Sequence, residues 1–368
     1  MRLSVPVIDE NELEAIKKVL TSGYLTMGPV VAEFENAVAE YTGARYAIAT
    51  TSATTALHLS MVALNIGKGD EVIVPSFTFP ATVNVVIQQG AVPVLVDIDL
   101  HTFNISIESL KAGITPKTKA IMPVHLFGLS ADMYALMEIA SEKGIHVVED
   151  AACALGSLYN GKQCGTIGDI GCFSFHPRKI ITTGEGGMVI TNNHEIGERV
   201  RGLRQHGGIR MDNRFYFSEP GFNYRMSDIN AAIGLSQMKK IKWIIERRRD
   251  IAKNLTDGLS GVKGFILPSE PSWAFHTYQT YAIILDKSID RDLFIQGLKQ
   301  MGIEATIGTY AIHMEKYLHQ LYPYKEQDLP NAAKAFRQTV AVPLYPQMTD
   351  EEIERLIKAV RETITCLT

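Results

Sequence analysis

Residues 147–193 decide the fold of this 368-residue chain, and they read VVEDAACALGSLYNGKQCGTIGDIGCFSFHPRKIITTGEGGMVITNN. A short apolar run ends on an acid, Asp150, and a turn-rich segment follows it. A second strand-like run covers residues 172–175. Lys179 comes next, in a loop that closes with the glycine-rich sequence 184–187. The stretch therefore predicts two strands, with an acid at the end of the first and a lysine soon after the second.

An acid at a strand end and a lysine twenty-nine positions later suit a pyridoxal phosphate site, provided that both side chains face one pocket. The lysine supplies the Schiff base, and the Asp150 carboxylate keeps the pyridine nitrogen protonated. Taken alone, each residue has another reading. An isolated loop lysine is usually a solvated surface charge, and Asp150 could cap the next helix.

Three motifs in order resemble the sugar aminotransferase family called DegT/DnrJ/StrS, a branch of the fold-type I pyridoxal-phosphate enzymes. They are E-D-A-A at 149–152, G-D-I-G-C-F-S-F at 168–175, and Lys179 before G-E-G-G at 184–187. Linked motifs are far more specific than any one alone. The resemblance runs nearly end to end, and it implies that Lys179 and Asp150 are the catalytic residues of a pyridoxal 5'-phosphate enzyme.

Composition excludes several other classes of protein. An apolar content of 46% and a charged content of 21% are ordinary for a soluble globular enzyme. A net charge of −4 gives no indication of nucleic-acid binding. No run of eighteen apolar residues and no signal-peptide pattern is present, so no membrane contact is expected. The four cysteines lack metal-ligand spacing, and a cytoplasmic enzyme without a metal is predicted.

Short apolar runs alternate with helical stretches through the first half of the chain. This alternation predicts an α/β fold with a mostly parallel sheet and helices on both faces. Ligands of such sheets bind at the carboxyl ends of the strands. We therefore expect the loops after residues 49, 75, 123 and 149 to lie on one rim.

The pattern changes from about residue 263 onward, where strands and helices no longer alternate in this way. We predict a large pyridoxal-phosphate-binding α/β domain over residues 1–245 and a small C-terminal α+β domain over residues 246–368. The resemblance implies the fold-type I arrangement of these two domains. Capping boxes are expected where Asp9 precedes the first helix and where Thr349 precedes the last.

Residues 51–56, TSATTA, follow the first predicted strand and lead straight into a helix. Small hydroxyl residues at a helix N-terminus form a phosphate site, because free N–H groups and the helix dipole point outward. Simple N-capping by Ser52 or Thr54 is the alternative. The resemblance assigns Ala53 and Thr54 to the cofactor phosphate, although the family has glycine where Ala53 stands. It assigns Ser174 to the same phosphate.

Three residues beside strand ends are candidates for contacts around the cofactor ring. The resemblance implies that Phe79 stacks on the pyridine. It places Cys153 where many family members use Gln or His to contact the ring hydroxyl. His125 belongs to an H-L-F-G turn similar to the family's H-L-Y-G turn and receives only a supporting role. By residue type alone, an aromatic or a histidine beside an apolar strand is more often part of the core.

Two further segments are candidates for binding the substrate. In the family, the backbone of a turn like that at Met27 and Gly28 lies beside the substrate, whereas a plain helix–helix turn is the alternative. Residues 308–313 resemble an element that closes over the sugar nucleotide. Tyr310 and His313 are the substrate-binding candidates there, and either could instead be a packed loop residue.

The sequence N-Y-R-M at residues 223–226 is similar to a family element that crosses a dimer interface. The resemblance implies that Asn223 reaches the partner's cofactor phosphate and that Arg225 lies beside the partner's substrate. Without the resemblance, both residues would be the approach to the next helix. The expected assembly is a homodimer with shared active sites.

The chain is thus predicted to be an aminotransferase that converts a nucleotide-linked keto sugar, a 4-keto or 3-keto deoxy sugar, to the amino sugar. By resemblance, L-glutamate is the expected donor in a ping-pong mechanism, with Lys179 as general base and acid. Amino sugar and polysaccharide biosynthesis is the expected setting.

Three alternatives remain at this point. The first is an aminotransferase acting on a cyclitol or another ketone without a nucleotide. The second is a sugar dehydratase, but such relatives carry His where Lys179 stands. The third is a non-catalytic, ligand-sensing member of the fold, which the intact set of Asp150, Ser174 and Lys179 disfavours.

Overall fold

The apolar runs of the first half of the chain form the strands of one large sheet. The computed structural model describes residues 1–212 and 214–367. In chain order, the strands of this part are β1 (Tyr46–Thr50), β2 (Glu71–Pro75), β3 (Phe77–Thr78), β4 (Val92–Val96), β5 (Thr118–Ile121), β6 (His146–Asp150), β7 (Leu158–Tyr159), β8 (Lys162–Gln163), β9 (Ile170–Ser174), β10 (Gly187–Thr191), β11 (Gly208–Met211), β12 (Arg214–Phe217), β13 (Phe265–Ile266), β14 (Ala274–Phe275), β15 (Tyr281–Leu285), β16 (Thr306–Ile307), β17 (Tyr310–Ala311) and β18 (Thr339–Val342).

The helices begin where the sequence carries capping signals. Asp9 and Glu12 form a capping box at the first helix, and Thr349 and Glu352 form another at the last, as predicted. The helices are α1 (Glu10–Ser22), α2 (Pro29–Thr42), α3 (Ala53–Ala63), α4 (Pro80–Gln88), α5 (Ile107–Gly113), α6 (Met133–Lys143), α7 (His194–Arg204), α8 (Asp228–Met238), α9 (Ile241–Leu259), α10 (Arg291–Gln300), α11 (Lys316–Leu321), α12 (Pro330–Gln338) and α13 (Asp350–Leu367).

The large sheet has seven strands in the order β1-β10-β9-β6-β5-β2-β4. Strand β10 runs antiparallel to both of its neighbours, whereas the remaining pairs are parallel. The strands are almost wholly buried, because helices cover both faces of the sheet. The predicted α/β fold with a mostly parallel sheet is confirmed.

A second, antiparallel sheet has the order β13-β15-β18-β16, with α10 and α13 packed on it. Its core includes Phe294, Val340 and Leu356. Met1 and Val5 also pack against this core, although they belong to the other end of the chain. The predicted domain boundary at 245/246 falls inside α9 and stays a prediction. Among the described residues, no helix is long and apolar enough to span a membrane.

Candidate active site

The carboxyl ends of β1, β2, β5 and β6 meet at one edge of the large sheet, as the sequence predicts, and border a cavity. Its volume is about 630 Å³, within the range of pockets that hold small ligands. The part of the chain built around the antiparallel sheet β13-β15-β18-β16 is called the C-terminal lobe below. Residues from this lobe, including Thr280 and Thr309, complete the wall. Among the predicted site residues, the lining contains Ala53, Thr54, Phe79, Asp150, Cys153, Ser174 and Lys179.

Asp150 ends β6 and is buried at the bottom of this cavity. Its carboxylate accepts hydrogen bonds from the Thr82 hydroxyl at 2.8 Å and from the Ala152 N–H at 3.2 Å. Burial raises the pKa of Asp150, although these two donors and the charge of Lys179 oppose the shift. A cation placed next to the carboxylate would offset the cost of burying its charge. Asp150 therefore suits a protonated ring nitrogen.

A second buried acid, Glu149, fixes the loops around Asp150. Its carboxylate accepts a bond from His125 Nε2 at 2.7 Å and three more, at 2.6–2.7 Å, from main-chain N–H groups at residues 165–168. His125 Nδ1 accepts from the Ala131 N–H, so the ring carries its proton on Nε2. The main-chain N–H of His125 also donates to the main-chain carbonyl of Asp150. His125 thus holds the end of β6 in place.

Lys179 lies in the loop between β9 and β10, with its amine at the cavity wall. Its Nζ donates to Cys153 Sγ at 3.0 Å. Its main-chain N–H donates to the His176 carbonyl at 2.8 Å and closes a tight turn. Asp150 ends β6 and Cys153 follows it, and β6 is the parallel neighbour of β9. Adjacent strands therefore bring the acid, the thiol and the amine to one cavity.

The N-terminus of α3 forms a second polar wall of the cavity. Ser52 is the N-cap and accepts from the Thr55 N–H, which leaves the N–H groups of Ala53 and Thr54 without partners inside the helix. Gly187 begins β10 and passes close to this turn. A Cβ at Gly187 would lie only 2.3 Å from the Ser52 carbonyl carbon. Glycine permits this close approach. Ser174 lines the cavity nearby.

Phe79 lines the cavity, and Tyr310, which is not among the described lining residues, packs against Phe79. Phe79 is the N-cap of α4 and remains 62% exposed. Tyr310 meets Phe79 edge-on, with ring centroids 6.3 Å apart. The pairing of β17 with β3 fixes this contact, because Tyr310 lies opposite Thr78. An exposed aromatic side chain at the wall of the cavity suits a stacked heterocyclic ring.

Some predicted site residues lie elsewhere in the described chain. His313 is fully buried, and its Nδ1 bonds the Ser76 hydroxyl at 2.6 Å. Met27 is partly buried against the core, and the Gly28 N–H donates to Asp228 at the junction of α1 and α2. None of these three predicted residues is among the described residues that line the cavity.

Asn223 and Arg225 lie beside the end of β1 and do not line the cavity of their own protomer as the structure describes it. Arg225 Nε donates to Asn223 Oδ1 at 3.0 Å. A β-bridge joins Arg225 to Thr50, directly before the N-terminal turn of α3. Asn223 is thus exposed beside the N-terminal turn of α3, outside the described lining of the cavity.

Sequence reasoning missed several residues of the cavity. Thr82 has no motif of its own, and it is placed by the first turn of α4. His176 also lines the wall, and no motif of the sequence indicates this position. Gln279 and Thr280 come from the C-terminal lobe, where no local pattern indicates an approach to the sheet, whereas Thr309 belongs to the segment 308–313 that the resemblance had indicated.

The residues of this cavity fit pyridoxal phosphate. The acid at the bottom suits the ring nitrogen, the Lys179 amine suits an aldehyde, and the N-terminus of α3 with Ser174 suits a phosphate. These three groups stand at the carboxyl edge of a sheet with the order β1-β10-β9-β6-β5-β2-β4. Fold and site together define a pyridoxal-phosphate-dependent aminotransferase of fold-type I.

Comparison with known proteins identifies the branch. The chain matches the DegT/DnrJ/EryC1/StrS aminotransferase family over residues 6–361, and it belongs to that family. It is 40% identical over 372 residues to the uncharacterised protein MJ1066 of Methanocaldococcus jannaschii. It is 37% identical over 374 residues to the spore coat polysaccharide biosynthesis protein SpsC of Bacillus subtilis. Each alignment covers 98% of this chain and 96% of the relative.

The structure is similar to that of the putative sugar aminotransferase Spr1654 from Streptococcus pneumoniae in its PMP form. The TM-score is 0.95 at 29% identity, covering 100% of this chain and 98% of the other. The PLP form of Spr1654 gives the same TM-score and identity. The predicted family and the cofactor, pyridoxal phosphate, are confirmed.

Proposed function

We propose that this aminotransferase moves an amino group from L-glutamate to a nucleotide-linked keto sugar, a 4-keto or 3-keto deoxy sugar. The observation that carries the chemistry is that the Lys179 amine and the buried Asp150 carboxylate line one cavity. The similarity to the polysaccharide biosynthesis protein SpsC and to the putative sugar aminotransferase Spr1654 supports a sugar as the acceptor. The four unpaired cysteines support a reducing, cytoplasmic setting.

The bound cofactor supplies an electron-accepting ring that stabilises negative charge on the carbon bearing the amino group. Asp150 holds the proton on the ring nitrogen, and Thr82 fixes the orientation of the carboxylate. The N–H groups of Ala53 and Thr54, with the Ser174 hydroxyl, hold the phosphate. Phe79 would stack on the ring. Cys153 replaces the polar side chain that would otherwise stand beside the ring hydroxyl.

Lys179 Nζ has two roles in the proposed reaction. At rest, it forms the covalent link to the cofactor. When the amino donor takes its place, the freed Nζ accepts the proton from the donor's amino-bearing carbon and gives it up again within the same cavity. The contact with Cys153 Sγ keeps the freed amine at the wall. In the second half-reaction, Nζ returns a proton to the former carbonyl carbon of the sugar.

Residues at the mouth are proposed to bind the sugar. Tyr310 stands on β17, beside Thr309, so a sugar in the cavity would lie against this segment. His313 binds Ser76 and is proposed to hold the segment in position, since its ring is buried. Substrate contacts by Met27 and Gly28 remain predictions.

The proposal predicts a reversible change in absorbance with two separate triggers. L-Glutamate alone should convert the visible band of the cofactor-loaded enzyme to that of the pyridoxamine form, with release of 2-oxoglutarate. A keto-sugar nucleotide should then restore the first band, because one cofactor serves both halves. D-Glutamate is the matched control and should leave the band unchanged. If a cyclitol ketone restores the band and a keto-sugar nucleotide does not, the proposed acceptor is wrong. If L-glutamate leaves the band unchanged, the proposed donor is wrong.

We further propose that two protomers share their active sites, with Asn223 and Arg225 serving the partner's cavity. These two residues lie outside the described lining of their own cavity. The hairpin that precedes them exposes Ile209, Met211 and Phe217 to solvent. Exposed apolar side chains clustered on one hairpin are typical of a protein–protein interface. A second protomer would cover this hairpin and receive the polar pair that follows it.

Mixing two inactive variants tests the shared site. If Arg225 serves the partner's cavity, Lys179→Ala and Arg225→Ala protomers should regain activity together, because the hybrid dimer has one intact site. Random pairing would restore about one quarter of the wild-type activity. Lys179→Ala mixed with Asp150→Asn is the control and should stay inactive, since both residues line one protomer's cavity. No regain in the first mixture would mean that Arg225 acts within its own protomer.

A further inference from the structure

A glutamine of the C-terminal lobe contacts the main chain of the lysine loop. Gln279 Nε2 donates to the Arg178 carbonyl oxygen at 2.7 Å. That carbonyl belongs to the peptide group that leads directly into Lys179. The turn at Lys179 is therefore held from two sides, by its own bond to the His176 carbonyl and by the amide of Gln279.

The amide of Gln279 has one preferred orientation. Its Oε1 accepts from the Thr280 hydroxyl at 3.1 Å, while its Nε2 faces the Arg178 carbonyl. Turning the amide over would place two acceptors against each other and lose a bond at the cavity wall. The contact therefore depends on a donor at this position and not only on the size of the side chain.

The segment that carries Gln279 is itself fixed to the large-sheet side of the cavity. The Thr277 and Thr280 N–H groups donate to the carbonyls of Gly128 and Phe127, each at 3.2 Å. The buried Arg248 donates to the Gln279 carbonyl at 3.2 Å. A Cβ at Gly128 would lie 2.4 Å from the Thr277 hydroxyl, which shows how closely the two segments pack. Gln279 thus reaches the lysine loop from an anchored support.

We propose that Gln279 is a positioning residue for Lys179, through which the C-terminal lobe sets where the amine stands in the cavity. Its neutral amide takes no part in proton transfer. Gln279 and Lys179 line the same cavity, and the bond to the Arg178 carbonyl joins the lobe to the lysine loop. A reacting group displaced by about 1 Å can lose on the order of 100-fold in rate. The inference rests on the aminotransferase chemistry of Lys179 and not on the identity of the donor.

Two substitutions remove the donor and keep the bulk of the side chain. Gln279→Leu and Gln279→Glu should each slow the single-turnover reaction of the holoenzyme with its amino donor about tenfold or more. The KM for the donor should stay within about twofold, because the bond positions Lys179 and does not bind substrate. The pH midpoint of the visible cofactor band should move as well, since it reports the surroundings of the Lys179 nitrogen. This midpoint needs no donor, so it decides the inference even if L-glutamate is inactive.

Gln347→Leu is the matched control. Gln347 Nε2 also donates to a main-chain carbonyl, that of Pro6 at 3.1 Å, at an exposed site that does not line the cavity described. It should leave both the rate and the pH midpoint unchanged. If Gln279→Leu behaves like this control, the positioning role is wrong. If Gln279→Glu keeps the wild-type rate and midpoint, a donor is not needed there and the inference is equally overturned.

Discussion

Replacement of Lys179 by alanine is expected to lower turnover at least about 1,000-fold and to abolish the visible band of the bound cofactor. The loss combines two roles of one nitrogen, the covalent link and the proton transfer, and general acid–base catalysis alone contributes roughly 100- to 10,000-fold. No other described lysine lines the cavity. No other described lysine amine in the cavity can therefore take over the roles of Lys179.

Folding should be little affected by this change. The described side-chain bond of Lys179 is the one to Cys153, so truncation should alter the melting temperature by about 2 °C or less. The measurements are the absorbance spectrum with and without L-glutamate, the turnover, and thermal unfolding. Lys162→Ala, at an exposed site on β8, is the control and should match the wild type. Retention of the band by Lys179→Ala would mean that another residue holds the cofactor.

The centre of the site could be predicted from the sequence because its determinants are local. Asp150 ends one strand, and Lys179 follows the next strand of the parallel sheet after a short turn. Parallel neighbours place their carboxyl ends together, so two local patterns are enough to bring an acid and an amine into one cavity. The loop at Ala53 and Thr54 follows the same rule from β1.

Residues whose positions depend on distant partners could not be predicted in this way. Thr82 bonds Asp150 across 68 positions of the chain, and Gln279 bonds the Arg178 carbonyl across 101. His313 looked like a substrate ligand from its segment. Its ring is buried, and it forms a hydrogen bond with the hydroxyl of Ser76, which is 237 positions away. Nothing adjacent to these residues in the sequence encodes such partners.

The order β1-β10-β9 is nonlocal for the same reason. The apolar residues of β10 suit a buried strand, but its insertion between β1 and β9, antiparallel to both, is set by the tertiary pairing. The packing of Met1 and Val5 on the C-terminal core joins the two ends of the chain. Such long-range contacts determine which residues of the C-terminal lobe reach the cavity. For this reason Lys179 and Asp150 could be predicted from the sequence, whereas the residues that the C-terminal lobe contributes to the cavity wall could not.

Replacement of Asp150 by asparagine should change activity and apoprotein stability in opposite directions. Turnover should fall on the order of 1,000-fold, because a neutral amide cannot hold the proton on the ring nitrogen. The melting temperature of the apoprotein at neutral pH should rise by a few degrees, since about 1 kcal/mol shifts the midpoint of a domain by roughly 2–4 °C. A buried acid selected for its charge is expected to cost stability in this way.

The sign follows from the pKa of Asp150, which burial raises above its ordinary value of 3.8 against the opposing Thr82, Ala152 and Lys179. The folded apoprotein therefore binds this proton more tightly than the unfolded chain does. As pH rises above 3.8, the unfolded chain ionises first, and the folded state loses relative stability until its own pKa is passed. Asparagine removes that loss. The two proteins should converge in melting temperature at pH values below 3.8 and diverge toward neutrality.

Asp169 provides a control of the opposite sign. Burial alone would raise the pKa of Asp169, but bonds from His146 and the Val147 N–H lower it overall. Asp169→Asn should therefore destabilise the protein at neutral pH, and the difference should disappear as pH falls. Thermal unfolding from pH 3.5 to 8 separates the two cases.

Loading with pyridoxal phosphate should reverse the ranking of wild type and Asp150→Asn. A cationic ring nitrogen offsets the buried carboxylate only where a carboxylate is present, so the cofactor should stabilise the wild type more than the variant. A lower melting temperature of the variant apoprotein at pH 7 would contradict the assignment, because Asp150 would then be held as a structural acid. If the Asp150→Asn apoprotein melts at a higher temperature than the wild-type apoprotein and gains less from cofactor binding, Asp150 is the group that pairs with the ring nitrogen.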